Sequence, residues 1–155
     1  MAAKKKSGHK KLTRKRILSR HHLERLSSDP EVMRFARLIN ASFLKSGLTE
    51  MKELDSENEA MYLLDVASGS IVSIIVFGRY DTSMYYIPVV WTSPRHRGEG
   101  CYERLLTWMK SYVRSKGATS IDTDVHYDNH KMIRMMEKHW KKSFVRFSCS
   151  LTGKP

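Results

Sequence analysis

Residues 94–106 form the segment of this sequence best suited to hold a phosphate. The segment reads PRHRGEGCYERLL, follows a predicted strand and opens a predicted helix. Gly98 and Gly100 allow the backbone to turn tightly and to approach a ligand closely. The helix offers unpaired N–H groups and the positive end of its dipole, so the segment predicts a pyrophosphate site. A strand-to-helix turn without a ligand would look similar, and no Gly-Lys-Ser/Thr follows, which excludes a Walker loop.

Proton-transfer candidates lie beyond the next predicted strand, which spans 119–125. His126 could serve as a general base at neutral pH, and Tyr127 could serve as an acid. Alternatively, His126 simply faces solvent after the strand. Glu57 and Glu59 precede the strand at 61–66, where they could contact a substrate or form a solvated loop face.

The two cysteines, Cys101 and Cys149, belong to no metal-ligand spacing. We expect both to be free thiols in a reducing, cytoplasmic environment. Cys101 lies at the predicted helix start, a position that lowers the pKa of a thiol. No His/Asp partner pattern accompanies it, so a nucleophilic role has little support. The histidines also lack a zinc-binding spacing, and no metal site is predicted.

The elements around these residues predict an α/β (α+β) fold with a single mixed sheet. Asp29-Pro30 starts a helix whose apolar positions recur every three to four residues, and Gly47 ends it. A second short helix is plausible at 48–54. Pro88 lies inside a predicted strand, where it indicates a bulge, an edge position or a shortened pairing. The remaining predictions are strands at 61–66, 71–77, 84–92, 119–125 and 144–151, and helices at 104–116 and 129–140.

Charge separates the chain into two regions. The net charge is +12, and residues 1–26 carry ten Lys/Arg against one acid, Glu24. We therefore predict a flexible basic tail at 1–28, part of which could form a helix against a partner, and a folded domain at 29–155. The tail has no aromatic residue, which indicates nonspecific attraction to DNA, RNA or an acidic protein. A nuclear import signal or improved solubility are alternatives. No apolar run is long enough to predict a membrane span or a secretory signal.

Residues 60–151 resemble the GNAT superfamily of acyl-CoA N-acyltransferases. The resemblance rests on the strand–loop–helix order, the hairpin before it and an asparagine that opens the following helix. The matching residues are Pro94, Arg97, Gly98, Gly100, Leu105, Leu106 and Asn129. It implies a mostly antiparallel sheet flanked by helices, in which a splayed pair of parallel strands forms a CoA site.

The resemblance also implies acetyl-CoA as co-substrate and direct transfer to an amine, on a protein lysine, a protein N-terminus or a small molecule. The main chain of Val90 and Thr92 would pair with the pantetheine arm, and Asn129 would orient that arm or the helix end. A strand N–H of Trp91 or Thr92 would hold the developing oxyanion. The amides that would hold the pyrophosphate are those of Arg97, Gly98, Glu99, Gly100, Cys101 and Tyr102.

Two positions depart from the family pattern. Tyr102 replaces the third glycine or alanine, where its ring could crowd the pyrophosphate or stack beside it. Met136 occupies the place of the tyrosine that many members use as general acid, and methionine cannot transfer a proton. The alternative function is therefore a degenerate GNAT-fold module that binds nucleic acid or protein through its tail without catalysis. The last predicted strand leaves a homodimer possible.

Overall fold

The computed structural model describes residues 22–48, 54, 57–138 and 140, which form one mixed sheet with helices on both faces. Over these residues the sheet has five strands in chain order, β1-β2-β3-β4-β5. Neighbouring strands from β1 to β4 are antiparallel, and β4 and β5 are parallel. This architecture confirms the predicted fold class. The elements are β1 (His22–Ser27), α1 (Pro30–Lys45), β2 (Glu59–Asp65), β3 (Ile71–Arg79), β4 (Met84–Thr92), α2 (Cys101–Ser115), β5 (Ser120–Asp122) and α3 (His130–Met136).

The first strand corrects the predicted domain boundary. β1 pairs with β2 over its whole length, from His22 opposite Asp65 to Ser27 opposite Ala60. The folded region therefore includes residues assigned to the tail at 1–28, and the helix considered for part of that tail is absent at 22–27. The β1 sequence, HLERLS, has no β-branched residue, so its strand conformation comes from the ladder with β2 and not from local propensity.

The start and end of α1 follow the predicted signals. The Asp29 carboxylate accepts a hydrogen bond from the Glu31 amide at 2.8 Å, and Pro30 is the first helical residue. After the helix, Gly47 adopts a left-handed φ of 67°. The helix considered at 48–54 and the strand at 144–151 lie outside the described residues, apart from Leu48 and Leu54.

Each face of the sheet has its own hydrophobic core. On one face α2 packs against β2, β3 and β4, and the second core lies between α1 and the opposite face. The Met132, Met135 and Met136 side chains complete the α2 core. The largest fully buried side chains of the α2 core are Met61, Leu63, Ile75, Phe77, Ile87, Leu105 and Met109.

The irregularity predicted at Pro88 is present. Val76 lies opposite Val89 and Gly78 lies opposite Tyr86, so two β4 residues, Ile87 and Pro88, face the single β3 residue between them. This is a β-bulge with one extra residue in β4. On the other edge of β4, only three residues pair with β5, whereas the sequence predicted a strand over 119–125.

Candidate functional site

The main chain of Val90 and Thr92 faces away from β3. The Ser93 amide donates to the Val72 carbonyl at 2.8 Å, which makes that pair hydrogen-bonded, and pairs alternate along an antiparallel ladder. Trp91, opposite Ile74, therefore directs its N–H and C=O toward β3. Val90 and Thr92 direct theirs toward the β5 side, beyond the last position at which β5 pairs. Trp91 is thus unsuited to the oxyanion role, and Thr92 retains it as a candidate.

The parting of β4 and β5 has a visible cause. Their ladder ends at Tyr86 and Asp122, and the next contact is a side-chain one, from the Thr123 hydroxyl to the Ile87 carbonyl at 2.8 Å. Pro88 then has no N–H to offer. The bulge and the missing donor end the parallel pairing, and an unpaired stretch of β4 opens beside the glycine loop.

The glycine loop joins the end of β4 to the start of α2. Gly98 and Gly100 have φ values of 81° and 83°, which only glycine adopts without strain. Gly100 caps α2, and the amide of Arg104 makes the first bond inside the helix, to the Gly100 carbonyl at 3.1 Å. The amides of Cys101 and Glu103 precede that bond. A Cβ added at Gly98 would meet nothing within 4 Å, so the loop leaves room for a ligand there.

Charged groups flank the loop. Arg95 and Arg97 are exposed, and the Arg97 Nε donates to the Thr92 carbonyl at 3.3 Å. The Glu99 carboxylate lies 3.1 Å from the Nδ1 of His96. Glu99 therefore interacts with His96 and not with an arginine. Arg95 and Arg97 remain available to an anion. Positive-φ glycines, a helix N-terminus and the open space at Gly98 together fit a pyrophosphate group.

Tyr102 points away from the loop and into the α2 core. Its hydroxyl donates to the Met136 sulfur at 3.2 Å and accepts from the Trp140 indole at 3.0 Å. Burial raises the pKa of Tyr102 to about 12. The ring therefore neither crowds the loop nor stacks beside it. The two departures from the family pattern, Tyr102 and Met136, are in contact with each other.

Cys101 is buried at the start of α2, and its sulfur lies 3.8 Å from the His96 carbonyl. Burial raises the pKa of the thiol to about 11, with the nearby Glu99 carboxylate as the next cause. The lowering expected at a helix N-terminus is therefore wrong for this residue, because desolvation outweighs the helix dipole. A thiol with a pKa this high is protonated at neutral pH, which gives no support to a nucleophilic role. Its amide is the group that the loop presents.

His126, Tyr127 and Asn129 lie on the connection from β5 to α3. The Asn129 side chain caps α3 by accepting from the Met132 amide at 3.3 Å. The Asp128 amide approaches the His126 Nδ1 at 3.4 Å, and the rings of His126 and Tyr127 are 4.5 Å apart. Nδ1 is therefore the ring nitrogen that accepts in this conformation. Tyr127 is 74% exposed, whereas His126 is half-buried.

The two acids at the start of β2 lie elsewhere: Glu57 precedes the strand, and Glu59 is its first residue. Glu57 is exposed, and Glu59 interacts with Tyr112 near the end of α2, opposite the glycine loop. A side chain that sequence reasoning missed is Thr123, whose bond to the Ile87 carbonyl joins the Tyr86–Asp124 side-chain contact in linking β4 to the chain after β5. The only signal for it was its place within the predicted strand.

Two other kinds of feature are absent from the described residues. No three His, Cys, Asp or Glu side chains among them are grouped to hold a metal ion. None of the helices formed by those residues is long and apolar enough to cross a membrane.

The structure combines a mixed sheet, a splayed pair of parallel strands and a glycine loop at a helix N-terminus. This combination is typical of acyl-CoA-dependent transferases. Residues 23–140 match the model of the acetyltransferase (GNAT) family. The chain belongs to this family, which confirms the resemblance drawn from the motif. No curated protein matches the chain closely enough to count as a relative.

Solved structures share the fold at low sequence identity. An aminoglycoside acetyltransferase from an uncultured soil metagenomic sample has a TM-score of 0.63 and 12% identity, covering 87% of this chain and 99% of its own. A putative acetyl transferase from Pyrococcus furiosus has a TM-score of 0.64 and 13% identity, with 83% and 100% covered. A ribosomal-protein-alanine N-acetyltransferase from Brucella melitensis has a TM-score of 0.57 and 16% identity, with 81% and 99% covered. At these identities the similarity shows the fold alone.

Proposed function

We propose that this protein is an N-acetyltransferase that moves an acetyl group from acetyl-CoA to an amine by direct transfer. The observation that carries the proposal is the outer edge of β4. There the peptide groups of Val90 and Thr92 face a gap, directly before a loop with the backbone geometry of an anion site. The class of reaction follows from family membership, and the open edge of β4 is where we propose that acetyl-CoA binds.

The loop is the proposed pyrophosphate site. The amides from Arg97 to Tyr102 lie in a segment where Gly98 and Gly100 turn the backbone and α2 begins. Their N–H groups would donate to phosphate oxygens, helped by the helix dipole. The exposed arginines Arg95 and Arg97 would add positive charge without a fixed geometry.

The edge of β4 is the proposed pantetheine site. An amide-bearing arm laid along Val90 and Thr92 would take the place of the missing β5 residues, as an extended ligand does when it adds to a sheet edge. The Thr92 carbonyl already accepts from Arg97, but a carbonyl oxygen has two lone pairs and can accept a second bond. Asn129 would act through its cap, by fixing the start of α3 on the far side of the gap.

The chemistry falls to three groups. Acetyl-CoA would supply a thioester whose acyl carbon forms a bond to the amine nitrogen while the carbon–sulfur bond breaks. The Thr92 N–H would donate to the carbonyl oxygen as it gains negative charge. His126 would accept the proton that the amine loses, through Nδ1 once the Asp128 amide moves away, and Tyr127 would protonate the departing sulfur. The acceptor is an amine of a protein or a small molecule.

Binding of acetyl-CoA to the full chain, measured by calorimetry, tests the first half of the proposal. Gly98→Asp should weaken binding by about 100-fold, because it places a bulky carboxylate in the open space before the phosphates. Gly117→Asp is the matched control. Gly117 ends α2 with a φ of 87°, and a Cβ added there would also meet nothing within 4 Å, so the backbone strain is similar but the site is remote. Absence of binding at millimolar ligand, or equal losses in both variants, would refute the assignment.

Release of free CoA in the presence of primary amines tests the second half. His126→Gln should lower kcat by about 100-fold, and Tyr127→Phe should lower kcat by about 10-fold. Binding without any transfer across protein and small-molecule amines would favour the alternative, a binding module without catalysis. The contact between Tyr102 and Met136 is what favours that alternative, since it leaves a core packing pair where the family often places its acid.

A further inference from the structure

Ser73 places a hydroxyl group in an otherwise apolar stretch of β3. The strand reads IVSIIVFGR, and Ser73 has no exposed surface. A buried hydroxyl is unfavourable unless it is hydrogen-bonded. Its oxygen lies 3.0 Å from the Trp91 carbonyl oxygen and 2.8 Å from the Thr92 hydroxyl oxygen. Both partners belong to the end of β4 that borders the proposed acyl-transfer site.

The direction of these two hydrogen bonds follows from the groups involved. A carbonyl oxygen can only accept, so Ser73 donates its single hydroxyl proton to Trp91. The Thr92 hydroxyl therefore donates to the Ser73 oxygen. Ser73 and Thr92 lie opposite each other in a pair without backbone hydrogen bonds, where cross-strand side chains approach most closely. The two hydroxyls thus form a short chain that ends on the Trp91 carbonyl.

The Trp91 carbonyl and the Thr92 N–H belong to the same peptide group. In a trans peptide these two groups point in opposite directions, so the carbonyl faces β3 while the N–H faces the gap. A hydrogen bond accepted by the carbonyl polarises the peptide and makes its N–H a stronger donor. On the other side of Thr92, its own carbonyl accepts from the Arg97 Nε at 3.3 Å. The strand is therefore held on both sides of the N–H that faces the gap.

We propose that Ser73 is a positioning residue for acyl transfer, which it supports by orienting and polarising the peptide group that carries the Thr92 N–H. The inference rests on the proposed function, in which this N–H donates to the thioester carbonyl oxygen. That oxygen gains an electron pair as the amine nitrogen bonds to the acyl carbon, and it returns the pair as the carbon–sulfur bond breaks. The proton stays on the Thr92 nitrogen throughout, and Ser73 touches none of the reacting atoms.

This role separates catalysis from binding. The negative charge on the oxygen is greatest in the transition state, so a better donor lowers the barrier without tightening the ground-state complex. A hydroxyl that only stabilised the sheet would affect neither quantity beyond its effect on folding. The ratio of the change in kcat to the change in acetyl-CoA affinity therefore distinguishes the two roles.

The test compares Ser73→Ala with Ile74→Val in the full chain. Ser73→Ala removes the hydroxyl. Ile74 is the next residue of β3 and is fully buried in the core on the opposite face, so Ile74→Val should reduce stability to a similar extent while leaving both hydroxyl bonds in place. Release of CoA in the presence of a primary amine gives kcat, and calorimetry gives the affinity for acetyl-CoA.

We expect Ser73→Ala to lower kcat by about 10-fold with the acetyl-CoA affinity unchanged within about twofold, and Ile74→Val to keep both values near those of the parent. If the parent transfers acetyl groups and the two variants have equal kcat, the positioning role is wrong and the proposed function stands. A parent that binds no acetyl-CoA would overturn both.

Nuclear magnetic resonance of the Thr92 amide provides a second readout that needs no turnover. The amide proton should move downfield when acetyl-CoA is added to the parent, because it gains an acceptor. The movement should be smaller in Ser73→Ala and unchanged in Ile74→Val. This measurement decides the proposal even for a parent that binds acetyl-CoA without transferring it. Equal movement in the parent and in Ser73→Ala would refute the role of Ser73.

Discussion

The two edges of β4 differ in the extent of their strand pairing, although they belong to the same nine residues. On the β3 side the ladder runs from Tyr85 to Thr92 and continues through the Ser93 amide, with a single bulge. On the β5 side it stops after three pairs. The second edge is open because Pro88 and the bulge fall where pairing would continue. The proposed site for an extended ligand would thus arise from a sheet that stops pairing early, without any dedicated pocket-forming element.

The pairing on the two edges of β4 can be disrupted separately by substituting adjacent residues. These substitutions have the largest expected effect on stability. Val89→Pro removes an N–H that faces β3, so we expect a loss of about 3 kcal/mol or more in the free energy of unfolding, with part of it from lost packing. Val90→Pro removes an N–H that faces the gap. It should cost about 1 kcal/mol of stability while weakening acetyl-CoA binding by about 10-fold.

Chemical denaturation and calorimetry on the two variants make the comparison. The Pro88-Val89 segment is already extended, and a proline at 90 favours that conformation in residue 89. If both variants unfold at the same denaturant concentration, the assignment of inward and outward peptide groups is wrong.

The edge of β2 offers a contrast with the open edge of β4, because β1 covers it. Removing residues 1–21 leaves this cover in place, and removing residues 1–28 strips it and exposes β2. We expect the shorter deletion to leave the melting temperature unchanged and the longer one to lower it by at least about 10 °C, or roughly 2 kcal/mol. Melting curves for the two deletions, followed by circular dichroism, check this. Equal melting temperatures would restore the predicted boundary at 28/29.

Two hydroxyl groups allow the closed and open sides of β4 to be compared one hydrogen bond at a time. The buried Ser73 hydroxyl contacts the Trp91 carbonyl and the Thr92 hydroxyl on the closed side, and Thr123 links β4 to the chain after β5 on the open side. Ser73→Ala and Thr123→Val should each cost about 1 kcal/mol. Only Thr123→Val should also change acetyl-CoA affinity, by a few-fold, because the width of the gap depends on that link. Denaturation gives the stability of the two variants, and calorimetry gives their affinity for acetyl-CoA. An equal change in affinity in both variants would show that the gap is not the site.

The parts of the fold that sequence predicted are those with a local physical cause. Asp29-Pro30, Gly47, Pro88 and the Gly98–Gly100 loop each constrain their own backbone, and each prediction was confirmed. The same local signals led to the prediction of a pyrophosphate site at the loop, and that site stays a prediction. His126 and Tyr127 were identified as candidates by residue type, and their catalytic role stays a prediction.

The parts that sequence did not predict depend on long-range contacts. β1 forms only because β2, more than thirty residues later, accepts its ladder. Tyr102 and Met136 looked like two independent departures until the fold brought them within 3.2 Å. Burial, which no local pattern reports, also reversed the direction of the pKa shift at Cys101.

The start of α2 shows the smallest expected effect, which concerns pH. Burial raises the pKa of Cys101 to about 11 and that of Tyr102 to about 12, so both stay protonated in the folded chain after their unfolded counterparts have ionised. The native state then binds more protons than the unfolded state, and stability falls as pH rises from about 9 to 12. Below about pH 8, where the unfolded thiol and phenol are also protonated, neither group contributes a slope. The open edge of β4, which relies on peptide groups, has no such dependence.

Tyr102→Phe tests the contribution of the phenol. It should lower stability by about 1 kcal/mol at neutral pH, since the Trp140 indole loses its acceptor, and it should make the decline above pH 10 shallower. Tyr112 lies at the other end of the same helix, and burial together with Glu59 raises its pKa to about 12. Tyr112→Phe therefore serves as the control for alkaline sensitivity remote from the loop. Denaturation midpoints of the parent and of Tyr102→Phe, measured between pH 7 and pH 11, test this. Two parallel curves of midpoint against pH would contradict the raised pKa, because the phenol would then titrate alike in the folded and unfolded chains.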